Sequence, residues 1–410
     1  MDFNQVNPVV WLAALGIYLA ASRLALRRLE GGRRELVLAL LNVAGVYFFL
    51  FYGDINVTTK FPMYLLLVGG QYLMLRWFAD APGRWPWLAF FTPLAALVFL
   101  RYVPLDFYTA LGHKLGRTWL RIPTLTGISY LAFRCSRLVL EVRNGTVKKP
   151  GLWEYFTFAF FVPTMCVGPI NTYANFRRGF AATPCEVPAG RAGLRILVGL
   201  VKYGFLGPVF NQVGYEGFLR NGHFHPWLHL PVVMVGYYLY LYCNFSGFCD
   251  LAIGAAAWIG IPVPENFDNP FAARNIRDFW NRWHITLSHW MRDIVFAPLS
   301  KWLVRWLGPA RVNHAIALAI LLVFLLVGVW HGVGWNFALY GLIHGLGLVI
   351  NHYYTIGLKR WLGREGFKAY MENRWIHAAA VVVTFCYCAA SLMFFANTLA
   401  QLEEIWGDLQ

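Results

Sequence analysis

Residues 312–335 read VNHAIALAILLVFLLVGVWHGVGW. From Val312 to Trp330 no side chain carries a fixed charge, and as a helix this stretch is about 28 Å long, close to the ~30 Å hydrocarbon core of a bilayer. It predicts a transmembrane helix that runs straight into His331. An ionisable group at such depth is costly without a partner or a purpose, so His331 is a candidate functional residue. Gly332 and Gly334 are expected to let the backbone turn tightly and a substrate approach. The plainer alternative is a loop histidine bonded to a carbonyl.

The rest of the chain agrees with a membrane setting. Of 410 residues, 58% are hydrophobic and 13% charged, whereas soluble domains carry roughly a quarter charged. That composition excludes a water-soluble globule and a disordered chain, and seven cysteines are too sparse for a disulfide scaffold. Apolar runs recur at 9–26, 36–52, 61–78, 87–103, 153–170, 194–210, 230–248, 251–261, 312–330, 335–354 and 375–396. The expected fold is all-α: a polytopic integral membrane protein of about eleven transmembrane helices. The first run is read as a span rather than a cleaved leader, because Asp2 stands where a basic residue belongs and many spans follow.

The net charge of +15 lies between the apolar runs, where it sets topology and meets anionic lipid; nucleic acid is not an expected partner. Arg23, Arg27, Arg28, Arg33 and Arg34 place the first loop in the cytoplasm and the N-terminus outside. Arg76, Arg84, Arg143, Lys148 and Lys149 fit the cytoplasmic side, whereas Lys114, Arg117 and Arg121 fit less well outside. No internal repeat supports an inverted-repeat transporter.

Two stretches, 267–311 and 359–374, are too polar to span. The first suits interfacial or re-entrant helices, and the second a basic cytoplasmic loop. Within the first, Asp278 to Ser288 is the densest polar-aromatic cluster, and one continuous helix there would align Trp280, His284 and Ser288 on a single face. The bland alternative is an interfacial helix anchored by its tryptophans. His223, His225 and His229 are set aside as metal ligands, because Pro226 breaks their register and no carboxylate or cysteine is near. No metal is expected. Cys386 and Cys388 lack redox or zinc spacing, Cys135, Cys166, Cys243 and Cys249 read as small core residues, and His289 and His344 as packed histidines. Asp250, beside Ser246 and Cys249 in an apolar stretch, requires a partner; it is expected to orient a histidine or structure a tunnel wall.

Several motifs, in order, resemble the membrane-bound O-acyltransferase family in its bacterial cell-envelope branch. They are Gly127-Ile128-Ser129-Tyr130, Pro163 with Gly168-Pro169-Ile170, Asn244 through Gly254, Asn266-Phe267-Asp268-Asn269-Pro270-Phe271, Phe279 through His284, and Trp330-His331-Gly332. The resemblance runs from about Gly127 to the C-terminus, so residues 127–410 are expected to form the catalytic core and 1–126 a set of N-terminal transmembrane helices. It implies that His331 is the principal catalytic residue and His284 its partner, in a helical fold whose central tunnel joins a cytoplasmic donor site to an outward acceptor site. Trp280, Trp283, Ser288, Asn281, Arg282, Trp330, Asp250 and Ser246 are the candidate substrate-binding or tunnel-lining residues.

Within the branch, Glu141 through Gly145 and Phe279 through Asp293 lean toward the D-alanyl transfer proteins of teichoic acid modification, while Pro298-Leu299 and Met393 through Asn397 lean toward the O-acetylating relatives. The implied reaction moves a D-alanyl or acetyl group from a thioester to a hydroxyl of a cell-envelope polymer or its carrier, in the bacterial cytoplasmic membrane. The thioester is carried by phosphopantetheine on a carrier protein or by coenzyme A, with a glycan or an accessory acyltransferase on the outer side and no permanently bound cofactor. Trp280, Trp283 and Trp290 are expected to rim a concavity for a carrier. No cysteine or serine stands in a nucleophile pattern, which favours direct transfer. The competing classes are a transporter that uses its histidines for proton relay and a non-catalytic scaffold.

Overall fold

Backbone amides in hydrocarbon must be paired within their own segment, and the chain meets that demand with helices. In the computed structural model, residues 8–51, 57–102, 126–181, 188–215 and 226–407 are described; Lys114, Arg117, Arg121, His223 and His225 lie outside them. Among the described residues there is no strand, only an isolated antiparallel bridge between Phe267 and Trp283. The helices are α1 (Pro8–Arg28), α2 (Gly31–Val46), α3 (Val57–Phe78), α4 (Trp85–Tyr102), α5 (Ile128–Arg143), α6 (Leu152–Ala159), α7 (Tyr173–Ala181), α8 (Ala189–Val201), α9 (Gly207–Gln212), α10 (Pro226–Ile259), α11 (Ile276–Arg282), α12 (Ile285–Trp290), α13 (Ala297–Leu307), α14 (Val312–His331), α15 (Trp335–Glu372), α16 (Arg374–Ala396) and α17 (Leu399–Gly407).

Seven helical segments among the described residues are long and apolar enough to cross a membrane: Val10–Arg28, Gly31–Phe51, Trp85–Tyr102, Ala189–Gln212, His229–Ile259, Pro309–His331 and Arg374–Ala396. Runs 61–78 and 335–354 of the about eleven expected lie in helices α3 and α15, and others depart from the expectation for identifiable reasons. Runs 230–248 and 251–261 are one helix, α10, because Asp250 does not interrupt it: its carboxylate is 3.1 Å from the Arg195 guanidinium. Run 153–170 is not a span. It breaks after Ala159 into a short 3-10 turn, Val162–Thr164, since Pro163 lacks an amide donor and its ring restrains Val162.

The chain forms two compact units, Met1–Val198 with Cys249–Pro264, and Gly199–Phe248 with Glu265–Gln410. The first is organised around Arg134 on α5, 1% exposed. Its guanidinium donates to the Ala159 carbonyl at 3.0 Å and to Thr164 Oγ1 at 2.9 Å, so the broken segment after α6 is held by the two terminal nitrogens of a buried guanidinium.

In the second unit, α14 and α15 approach until their main chains touch. A Cβ on Gly328 would meet the Phe337 carbonyl oxygen and, at 3.0 Å, the Gly341 Cα; one on Gly341 would meet the Phe324 carbonyl oxygen. Small residues permit this approach where lipid supplies no hydrophobic drive between helices. The crossing sets His331, the last residue of α14, beside the first turns of α15. Gly341→Val is therefore expected to destabilise the protein by about 3 kcal/mol through overpacking against backbone that cannot yield, read as a lowered thermal unfolding midpoint in detergent.

Candidate active site

His284 does not lie within a helix. Helix α11 is preceded by Asn275, whose side chain accepts from the Asp278 amide at 3.0 Å and caps the helix, and it ends at Arg282. Trp283 is extended, and His284 adopts φ 47°, ψ 49° before α12 starts at Ile285. The single-face alignment of Trp280, His284 and Ser288 is thus corrected: a left-handed residue interrupts the helical register. Only Asn269 and His284 have positive φ among the described non-glycine residues. Such a conformation costs about 1–3 kcal/mol and persists where the surroundings impose it.

The surroundings here are residues 266–268. The Asp268 amide donates to the Arg282 carbonyl and the Ile285 amide to the Asn266 carbonyl, each at 3.0 Å. The Asn266 side chain completes the clamp. Its Oδ1 accepts from the Thr286 amide at 3.1 Å and the Thr286 hydroxyl at 2.9 Å, and lies 3.2 Å from His284 Nδ1.

That contact fixes the imidazole tautomer. An amide N–H cannot accept, so the Asn266 atom facing Thr286 is its oxygen, and His284 Nδ1 must carry the proton it donates to that oxygen. Nε2 keeps its lone pair. His284 is 3% exposed, and burial, reinforced by His331 nearby, pushes its pKa down to about 3. In this tautomer Nε2 carries no hydrogen and can only accept a hydrogen bond.

The same shift predicts an acid limit to stability. A histidine whose folded pKa is depressed binds fewer protons than the unfolded chain between about 6.5 and about 3. His284 therefore stabilises the fold above pH 6.5 and progressively loses that contribution as pH falls toward 3. Thermal midpoints measured from pH 7 downward should fall, and His284→Asn should flatten the decline.

His331 stands in an aromatic cage. Its ring centroid is 4.7 Å from Trp330, 5.0 Å from Phe395 and 5.9 Å from Tyr340. The His284 ring lies 6.3 Å from the same Trp330 and 4.7 Å from Phe245. Two imidazoles 47 residues apart in sequence are thus brought to one indole. Gly332 is extended, with φ −172°, so it is not needed for a left-handed turn; a Cβ there would strike the Phe337 ring. Gly334 likewise leaves room for the Asn336 side chain.

The other candidates separate. Trp280 and Ser288 line a cavity of about 490 Å³ with Asn281, Arg277, His289 and Arg292 over an apolar wall that includes Phe324 and Val327. Neither His284 nor His331 lines it. His289 is exposed rather than packed. Trp283 and Trp290 are buried, 6% and 3% exposed, and Trp280 is buried too. The three indoles form core rather than an exposed rim or interfacial anchors, and Trp283 stacks on Phe279 at 5.5 Å. Arg282 is held by Asp278 at 2.9 Å and serves the clamp. Asp250 pairs with Arg195 rather than with a histidine. Ser246 is buried, and its hydroxyl has no hydrogen-bond partner among the described residues. Trp330 completes the pair's shared wall. No group of three His, Cys, Asp or Glu side chains that could hold a metal occurs among the described residues.

Asn266 is the functional side chain that sequence reasoning left without a role. It sits 18 positions before His284, and no periodicity joins them; its place at the head of a recognised motif was the available signal.

Comparison with known proteins identifies the family. The model of the membrane-bound O-acyltransferase family matches residues 85–396. The teichoic acid D-alanyltransferase of Streptococcus thermophilus is 33% identical over 298 residues, 68% of this chain and 69% of that protein. Its namesake in Bacillus subtilis is 32% identical over 66% of this chain and 68% of its own length. The peptidoglycan O-acetyltransferase of Helicobacter pylori is 32% identical over 51% of this chain and 39% of that enzyme. With the family model covering most of the sequence and both histidines inside it, the chain belongs to the membrane-bound O-acyltransferase family and is an acyltransferase.

Proposed function

We propose that this acyltransferase moves a D-alanyl group from a thioester presented at the cytoplasmic face of a bacterial inner membrane to a hydroxyl of a cell-envelope polymer or its carrier on the outer side. The observation that carries the reading is the convergence of His331 and His284 on Trp330, with the second imidazole oriented by Asn266. A neutral His331 takes the hydroxyl proton as the oxygen attacks the thioester carbonyl; the C–S bond then breaks and the imidazolium returns the proton to the departing thiolate. His284 Nε2, a fixed acceptor, orients a donor hydrogen in that step. The 490 Å³ cavity supports entry of an anionic phosphopantetheine or coenzyme A arm, because Arg277 and Arg292 stand on its lining above apolar side chains. D-alanyl is favoured over acetyl because the two D-alanyltransferases that match about two thirds of the chain are 33% and 32% identical to it, against 28% for an alginate O-acetylase that matches 65%.

The test is purified protein in proteoliposomes, offered D-alanyl and acetyl thioesters in turn, on a carrier protein and on coenzyme A, with a polyol-phosphate polymer as acceptor. Ester formation from the D-alanyl donor without a membrane gradient is the expected result. Ester from acetyl alone replaces the acyl group assigned here, and solute flux without any new ester overturns the reading in favour of a transporter.

A further inference from the structure

A second buried histidine of this unit, His344 on α15, is 1% exposed, and its hydrogen bonds can be given directions. Trp280 Nε1 lies 3.3 Å from His344 Nδ1. An indole nitrogen only donates, so Nδ1 is the acceptor. Ser391 Oγ lies 2.8 Å from His344 Nε2 and 2.7 Å from the Cys388 carbonyl. A carbonyl only accepts, so the serine spends its one hydrogen there and receives Nε2–H from the imidazole. The result is one directed chain, from Trp280 through His344 and Ser391 to Cys388, joining α11, α15 and α16. Both ring nitrogens are engaged, which leaves His344 no free lone pair for a substrate proton.

Its neighbours give the chain a purpose beyond packing. Trp280 is on the helix that ends just before His284. Tyr340 has its ring centroid 4.6 Å from His344 and 5.9 Å from His331, and Phe395 is 5.2 Å from Tyr340 and 5.0 Å from His331. A core that needed only volume would be filled more cheaply by an apolar residue, because a buried polar group must find every partner. Resting on the acyl-transfer reading above, we propose that His344 is a positioning residue: locked as the neutral Nε2–H tautomer, it ties the helix leading to His284 to the aromatic ring that packs on His331, and so holds the two catalytic imidazoles in register.

The experiment compares His344→Leu and His344→Asn in proteoliposomes, with activity normalised to folded protein. Two quantities are read: kcat and KM for acyl transfer, and the rate at which diethyl pyrocarbonate modifies His331, followed by mass spectrometry. Leucine fills the space without an acceptor for the Trp280 N–H; the asparagine amide oxygen can take that bond. His344→Leu is expected to lower kcat by about 10- to 100-fold with KM within about twofold, and to change the His331 modification rate by about threefold or more. His344→Asn is expected to bring both readings back to within about threefold of wild type. A leucine variant that loses only thermal stability, with kcat and His331 reactivity unchanged, overturns the proposal. Should the wild-type protein transfer no acyl group, the functional reading falls, while the His331 modification rates still decide the positioning role.

Discussion

Replacement of His331 by alanine is expected to lower acyl transfer by about 10²–10⁴-fold, the span attributed to a positioned general base. The loss should fall on kcat, because the base acts on the proton in flight rather than on substrate affinity. The fold should survive. His331 ends α14 rather than anchoring its interior, and the Gly328–Gly341 crossing that fixes the helix pair lies a turn earlier. Single-turnover transfer in proteoliposomes, alongside an unchanged thermal midpoint, checks both halves. Residual transfer within about threefold of wild type would show that the base lies elsewhere.

The second large effect concerns Asn266, which never touches the reacting atoms in this scheme. Asn266→Ala removes one oxygen that receives three hydrogen bonds, from the Thr286 amide, the Thr286 hydroxyl and His284 Nδ1. A buried donor left without its acceptor costs about 1–3 kcal/mol, so the variant should lose several kcal/mol of stability and free His284 to turn. Activity should fall by about 10- to 100-fold even after correction for folded protein. Asn266→Asp separates geometry from charge. It keeps the acceptor but adds an anion that favours the imidazolium, raising the depressed pKa of His284. In this variant the acid limb of the pH–rate profile should move to higher pH, because His284 must be neutral to accept a hydrogen bond. An aspartate variant with the wild-type acid limb would show that this tautomer does not matter to turnover.

The two levels of organisation were unequally legible. The span ending at His331 could be read directly, since its information is local: nineteen residues without a charge, then an imidazole. The count of spans could not, because hydropathy treats Asp250 as a break while the fold neutralises it with an arginine 55 positions away. Within the site, the motif order identified both histidines, but helical periodicity gave the wrong setting for His284. Its left-handed backbone is imposed by residues 266–268 through pairing that no window over 276–290 contains. Trp283 and Trp290 misled in a similar way, because aromatic residues among arginines look like interfacial anchors until tertiary packing closes over them. His344 was read as packed, and it is, but its directed hydrogen bonds depend on partners at Trp280 and Ser391, 64 and 47 positions away.

The contact of bare main chain at Gly328 and Gly341 bears on redesign. Because peptide backbone at Gly328 and Gly341 limits how closely α14 and α15 approach, resculpting the apolar wall at Val327 or Ile320 for a bulkier acyl donor should leave the imidazole of His331 at its station. On the proposed reading, a library confined to Val327 and Ile320, which leaves the Phe324 ring that packs on Trp280 in place, is expected to change donor preference without loss of turnover.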